Sequence, residues 1–124
     1  MAVAYADGGC RNNGNQWVST GYGSYRIVTA GGLIDESRVS LPKAKTSNEA
    51  EYGILLKLLQ DERLESDSII YTDSQLLVGQ LQLGWKVKAN NLKPLAAQAA
   101  ELLAAKRCKL EWVSREAIEA RLGH

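Results

Sequence analysis

An α/β domain built on a mixed sheet is what this chain predicts, and two features of the sequence predict it. Three strand-like segments crowd the first 41 residues, joined by glycine-rich turn signals. After them, helix-like and strand-like segments alternate to the end of the chain. Early hairpins give antiparallel strands and later crossovers give parallel ones, so the sheet is mixed and helices cover it.

The elements follow in order. "AVAYADGG" (2–9) reads as a strand ending at a glycine pair, and "STGYGSYRIV" (19–28) and "GGLIDESRVSL" (31–41) as two more, with "TAGG" turning between them. "TSNEAEYGILLKLLQDE" (46–62) reads as a helix and "SIIYTD" (68–73) as a strand. "SQLLVGQLQ" (74–82) reads as a short helix. "NLKPLAAQAAELLAAK" (91–106) is an alanine-rich helix with Pro94 tolerated in its first turn. "KLEWV" (109–113) is a last strand, and "REAIEARLGH" (115–124) a terminal helix or tail.

At 124 residues, with 45% hydrophobic and 23% charged, the chain predicts a single domain over 1–124 with a real core. A net charge of +1 argues against tight nucleic-acid binding driven by charge alone. It leaves room for a local basic strip, and "WKVKANNLK" (85–93) places three lysines near a tryptophan with no acid between. Cys10 and Cys108 form neither a disulfide framework nor a zinc site and read as two reduced thiols. No apolar run approaches the roughly 20 residues that span a bilayer, and the N-terminus lacks a signal-peptide pattern. A cytoplasmic location without membrane association is expected.

The carboxylates carry the chemistry. Alternation puts Val3, Tyr5 and Asp7 on one strand face, and Ile69, Tyr71 and Asp73 on another. Each series ends in an aspartate at the carboxyl end of its strand, where α/β sheets gather ligands. Asp73 also suits a helix cap. In the first helix, Thr46 and Glu49 stand at capping-box spacing, which gives Glu49 a structural task. Glu51 instead heads the stripe of Ile54, Leu55, Leu58 and Leu59, where a carboxylate is costly unless paired or bound to a cation. Three such carboxylates together call for a hard divalent ion, magnesium or manganese. From spacing alone, a glycosidase-like acid–base pair stays open.

"YADGGCRNNG", "TSNEAEY", "YTDSQLLVGQL" and "WKVKANNLKPL", in that order, resemble type 1 ribonuclease H, closest to the compact branch without a basic protrusion. The resemblance covers nearly the whole chain. It implies a five-stranded mixed sheet, three strands antiparallel and then parallel ones, flanked by helices. It also implies a monomer that cleaves the RNA strand of RNA–DNA hybrids with two divalent ions, Mg2+ or Mn2+, leaving 5′-phosphate and 3′-hydroxyl ends. By motif, Asp7, Glu51 and Asp73 would be the catalytic metal ligands. Cys10, Arg11, Asn12 and Asn48 would contact the RNA strand, and Ser74, Gln75, Trp85 and Lys86 the DNA strand.

The C-terminus departs from the family pattern. Where a fourth acid is expected, "WVSREAIEARLGH" offers Leu122, or Arg121 with one residue deleted. The nearest substitutes are Glu119 and His124, and His124 is taken as the candidate catalytic residue. Two other functions stay open: a binding module of this fold that has weakened in catalysis, and another nuclease of the same architecture, such as a resolvase or exonuclease.

Overall fold

In the computed structural model, residues 2–11, 20–32 and 34–122 are described, the side chains of Arg11 and Thr20 apart. Five strands form one sheet in the order β3-β2-β1-β4-β5: β1 (Val3–Arg11), β2 (Thr20–Val28), β3 (Ile34–Leu41), β4 (Ile69–Thr72) and β5 (Lys109–Trp112). The β1–β2 and β2–β3 pairs are antiparallel, and β1–β4 and β4–β5 are parallel. Four helices complete the fold: α1 (Ser47–Gln60), α2 (Gln75–Gln82), α3 (Lys93–Lys106) and α4 (Arg115–Leu122).

The core lies between one sheet face and helices α1 and α3. Ala4, Ala6, Ile27, Ile70 and Leu110 face Ile54, Leu55, Leu58, Leu59, Ala99 and Leu103, all nearly inaccessible. Small alanines on β1 let α1 lie close to the sheet. Tyr52 of α1 is fully buried, and its hydroxyl donates to Gln80 Oε1 at 2.6 Å, tying α1 to α2. Val3, Tyr5, Ile69 and Tyr71 belong to the opposite face and are only half-buried. There Tyr5 and Tyr71 stack with centroids 5.3 Å apart, and Arg121 of α4 lies over the Tyr5 ring at 5.8 Å. Ile118 and Leu122 are buried and anchor α4.

The first strand does not end at its glycine pair. It runs on to Arg11 because β2 continues beside it, pairing Gly8 with Gly23, Gly9 with Tyr22 and Cys10 with Gly21. Both glycines thus lie within the strand, Gly8 as clearance for α1, and Cys10 sits on a strand.

β5 is an edge strand, and Gln82 closes it as a neighbouring strand would. Its side-chain amide donates to the Leu110 carbonyl at 2.7 Å and accepts from the Leu110 N–H at 2.5 Å. Gln82→Ala strips both partners from a strand residue that is 4% exposed. A loss of about 1–3 kcal/mol is expected, read by denaturant unfolding, with Gln82→Glu recovering only the N–H bond.

Candidate active site

Parallel pairing of β1 with β4 stops at Ala6 and Thr72. Asp7 and Asp73 are the next residues on the two strands, so they lie side by side where the strands cease to pair. Asp73 is not spent on capping. Ser74 caps α2, its hydroxyl accepting from the Leu77 N–H at 3.2 Å. The indole N–H of Trp112 donates to the Asp73 carbonyl at 3.1 Å and fixes that backbone from β5.

Helix α1 brings the third carboxylate. Thr46 caps it by accepting from the Glu49 N–H at 3.1 Å. The Glu49 carboxylate reaches back to the Thr46 hydroxyl and, at 3.3 Å, to the Lys45 N–H rather than that of Thr46. Glu49 is thus occupied at the helix start, and Glu51 is the glutamate that turns to the site. One carboxylate oxygen each from Asp7, Glu51 and Asp73 lies within 4.8 Å of the others.

This donor set fits a hard divalent ion. Around one magnesium with ~2.1 Å bonds, opposite oxygens stand about 4.2 Å apart and adjacent ones about 3 Å, so the three donors would draw together as an ion binds. The three donors are all carboxylates, which favours magnesium or manganese over softer metals. The electrostatics point the same way. Burial, then the charges of Asp7 and Asp73, push the Glu51 carboxyl up to about 8. The Arg115 guanidinium and a hydrogen bond from the Gly8 backbone oppose that rise.

An open cleft of about 410 Å³ surrounds the carboxylates. Of the residues expected to touch substrate, Cys10, Asn48, Ser74 and Gln75 line it together with Glu51 and Asp73. Trp85 and Lys86 do not line it. They lie on the connection from α2 to α3, where Trp85 folds back so that its ring covers Gly79, and both are exposed. Arg11's side chain, Asn12 and His124 lie outside what is described. Leu122 is buried beneath α4, outside the core that α1 and α3 form with the sheet, and Glu119 pairs with Arg115 at 3.4 Å.

The cleft also contains residues that the sequence motifs do not single out, notably Tyr22 and Arg115. Tyr22 pairs with Gly9 across the β1–β2 ladder, a position that only strand register reveals. Arg115 had a visible signal, since it follows closely after the last strand at the sheet's carboxyl end.

A family model described as RNase H matches residues 1–118. The bifunctional protein Rv2228c of Mycobacterium tuberculosis is 36% identical over 118 residues, spanning 91% of this chain and 31% of that protein. The chain thus spans less than a third of that relative's length. RNase H1 from Halobacterium salinarum superposes with a TM-score of 0.82 at 28% identity, covering 95% of this chain and 89% of that one. LC11-RNase H1, solved in complex with an RNA/DNA hybrid, gives a TM-score of 0.77 at 26% identity over 97% and 90% of the two chains.

The raised Glu51 carboxyl fixes a pH dependence. Between about 4.5 and about 8 the unfolded chain has lost this proton while the folded chain keeps it. Stability without metal therefore falls as pH rises through that window. Glu51→Gln removes the fall. The variant should match the wild type near pH 4.5 and exceed it by roughly 2–4 kcal/mol at pH 8, in denaturant unfolding with a chelator present.

Proposed function

Because the chain belongs to the RNase H family, we propose that it is a divalent-metal-dependent endonuclease that cleaves the RNA strand of RNA–DNA hybrids. The observation that carries this reading is the convergence of Asp7, Glu51 and Asp73 within 4.8 Å, beside a cleft that Glu51 and Asp73 line together with Cys10, Asn48, Ser74 and Gln75. The hybrid bound by LC11-RNase H1 supports the substrate class.

In this reading Asp7, Glu51 and Asp73 hold two divalent cations, magnesium or manganese. Bound there, the cations would supply activation of the attacking water and stabilisation of the leaving 3′-oxygen. The chain's own residues do the rest. Glu51 gives up its proton as the site is loaded, so loading is coupled to pH. Asn48, on the exposed first turn of α1, presents an amide able both to donate to and to accept from a ribose 2′-hydroxyl, the group that marks RNA. Cys10 lines the same cleft and would contact the RNA strand beside Asn48. The first turn of α2 carries no acid, so its N-terminus at Ser74 and Gln75 favours a phosphate. Water adds to the phosphorus and the 3′-oxygen departs, leaving 5′-phosphate and 3′-hydroxyl ends. Trp85 and Lys86 extend the DNA track away from the cleft. In this reading His124 serves where the resemblance expects a fourth acid, as Leu122 is buried beneath α4, Arg121 lies over Tyr5 and Glu119 is paired.

The alternative of a catalytically weakened binding module is disfavoured by Glu51. A carboxylate kept where burial and two neighbouring charges oppose its ionisation costs stability and has no use in a site without cations.

A labelled hybrid, with magnesium and manganese compared and with single-stranded RNA and duplex DNA as controls, tests the reading. Asp7→Asn, Glu51→Gln and Asp73→Asn should each reduce cleavage by at least about a hundredfold while circular dichroism stays native. A chain ending at Leu122 should lose roughly tenfold, the scale of lost supporting contacts at a metal. Full activity in Glu51→Gln would refute the assignment of the ligands.

Charge reversal at Lys86 separates binding from chemistry. Lys86→Glu should raise KM for the hybrid several-fold and flatten the salt dependence of binding by about one phosphate, with kcat unchanged.

A further inference from the structure

Tyr22 stands on the wall of the cleft opposite Asn48, and sheet alternation puts it there. Gly8 faces α1, since a side chain there would meet the Ala50 carbonyl oxygen, and its ladder partner Gly23 faces the same way, at Ile54. Gly9 and Tyr22, the next pair along the ladder, therefore face away from α1. The cleft is lined from both sides: Asn48 and Glu51 come from α1, and Gly9 and Tyr22 from the far face of the sheet. A strand lying over this end of β1 has α1 on one side and the tyrosine on the other.

Gly9 lets the tyrosine reach in. A Cβ on Gly9 would stand 3.4 Å from the Tyr22 hydroxyl oxygen and 3.5 Å from the ring carbon that bears it. The phenol thus crosses from β2 and lays its hydroxyl end over β1, where any side chain larger than a methyl would displace it. Core packing does not account for this ring. Tyr25 of the same strand is 6% exposed and belongs to the core, whereas Tyr22 is 42% exposed.

The chemistry of the side chain narrows what it meets. A phenol hydroxyl both donates and accepts, as a ribose 2′-hydroxyl does, and the ring offers a flat apolar face to the C–H side of a sugar. It brings no positive charge, so it lacks what makes arginine or lysine a phosphate ligand. We propose that Tyr22 is a specificity-determining residue: its ring packs against a ribose of the RNA strand and its hydroxyl bonds to that ribose's 2′-hydroxyl. The RNA strand is then read from two sides, by Asn48 on α1 and by Tyr22 on β2. This rests on the hybrid-cleavage reading.

Hybrids carrying one 2′-deoxy substitution, stepped along the RNA strand, test the contact. Binding is read by fluorescence anisotropy in an Asp7→Asn background, where cleavage is stopped. Tyr22→Phe should weaken binding of the unmodified hybrid roughly three- to tenfold, the scale of one hydrogen bond. At one nucleotide the 2′-deoxy substitution should cost the tyrosine protein that same factor and the Tyr22→Phe protein nothing, the mark of a shared contact. Tyr22→Ala should lose roughly threefold more, as the ring's contact with the sugar goes. Calorimetry on the protein with Asp7 intact should show the same Mn2+ affinity in Tyr22→Phe as in the wild type. Unchanged hybrid binding in Tyr22→Phe, or losses that add at every nucleotide, overturn the proposal. So does a fall in Mn2+ affinity, which would make Tyr22 a support of the carboxylates. Cleavage of the unmodified hybrid by the wild type is the separate control: if there is none, the functional reading fails, and the anisotropy comparison still decides whether Tyr22 touches a 2′-hydroxyl.

Discussion

Helix α1 and strand β1 meet backbone to backbone at Gly8. A side chain there would stand 2.7 Å from the Ala50 carbonyl oxygen, closer than any real Cβ contact. Only glycine permits the approach, and the approach puts Glu51 next to Asp7. The helix cannot tilt away to relieve a larger residue, because Tyr52, Ile54, Leu55 and Leu58 lock its other contacts with almost no accessible surface. A substitution at Gly8 therefore acts on packing and on the carboxylate cluster together. The sheet adds the second half of the constraint, since the last β1–β4 pair, Ala6 with Thr72, sets Asp7 beside Asp73.

These constraints hold together groups that repel one another. Glu51 is driven toward its protonated form by burial and by two neighbouring aspartates, and among the described residues the cation that opposes this, Arg115, is exposed rather than buried. The protein instead surrounds the cluster with supports that fix it without neutralising it. Ser74 takes over the capping of α2 and Trp112 pins the Asp73 carbonyl. Thr46 and Glu49 close the start of α1. The free energy set against the carboxylates would be recovered by a bound divalent cation, and metal loading, proton release and stability would then be one linked equilibrium.

Much of this was legible in the sequence, and the reasons differ by residue. Glu51 could be separated from Glu49 because helical periodicity and capping chemistry are both local. The mixed sheet rested on the order of strand-like and helix-like segments, and the family resemblance on motifs, both read in sequence. Asp73 was ambiguous, as a cap and a ligand look alike until Ser74 is seen to take the cap. The glycine pair misled as a strand end, because clearance for a helix at Gly8 looks the same in sequence as a break in the strand. Trp85 and Lys86 were placed with the substrate-binding residues by motif, yet the chain after α2 turns back on Gly79, a path that depends on packing and that no local pattern records. Tyr22 was invisible for a similar reason, since its nearness to the site follows from strand register.

The C-terminal helix shows how packing and chemistry compete for the same few positions. With eight residues, α4 has about two turns, and its buried face is taken by Ile118 and Leu122. A carboxylate at Leu122 would place charge in a 7%-exposed site beneath the helix, so the acid cannot be restored there without loosening the anchor. The positions that remain are Arg121, held over an aromatic ring, and the Arg115–Glu119 pair at the cleft's edge. Of these, Arg115 is the one that lines the cleft, and its charge opposes that of the carboxylates from the rim. Leu122 thus gives α4 its anchor at the position where the resemblance expects an acid, and the helix meets the cleft with a cation at its first residue.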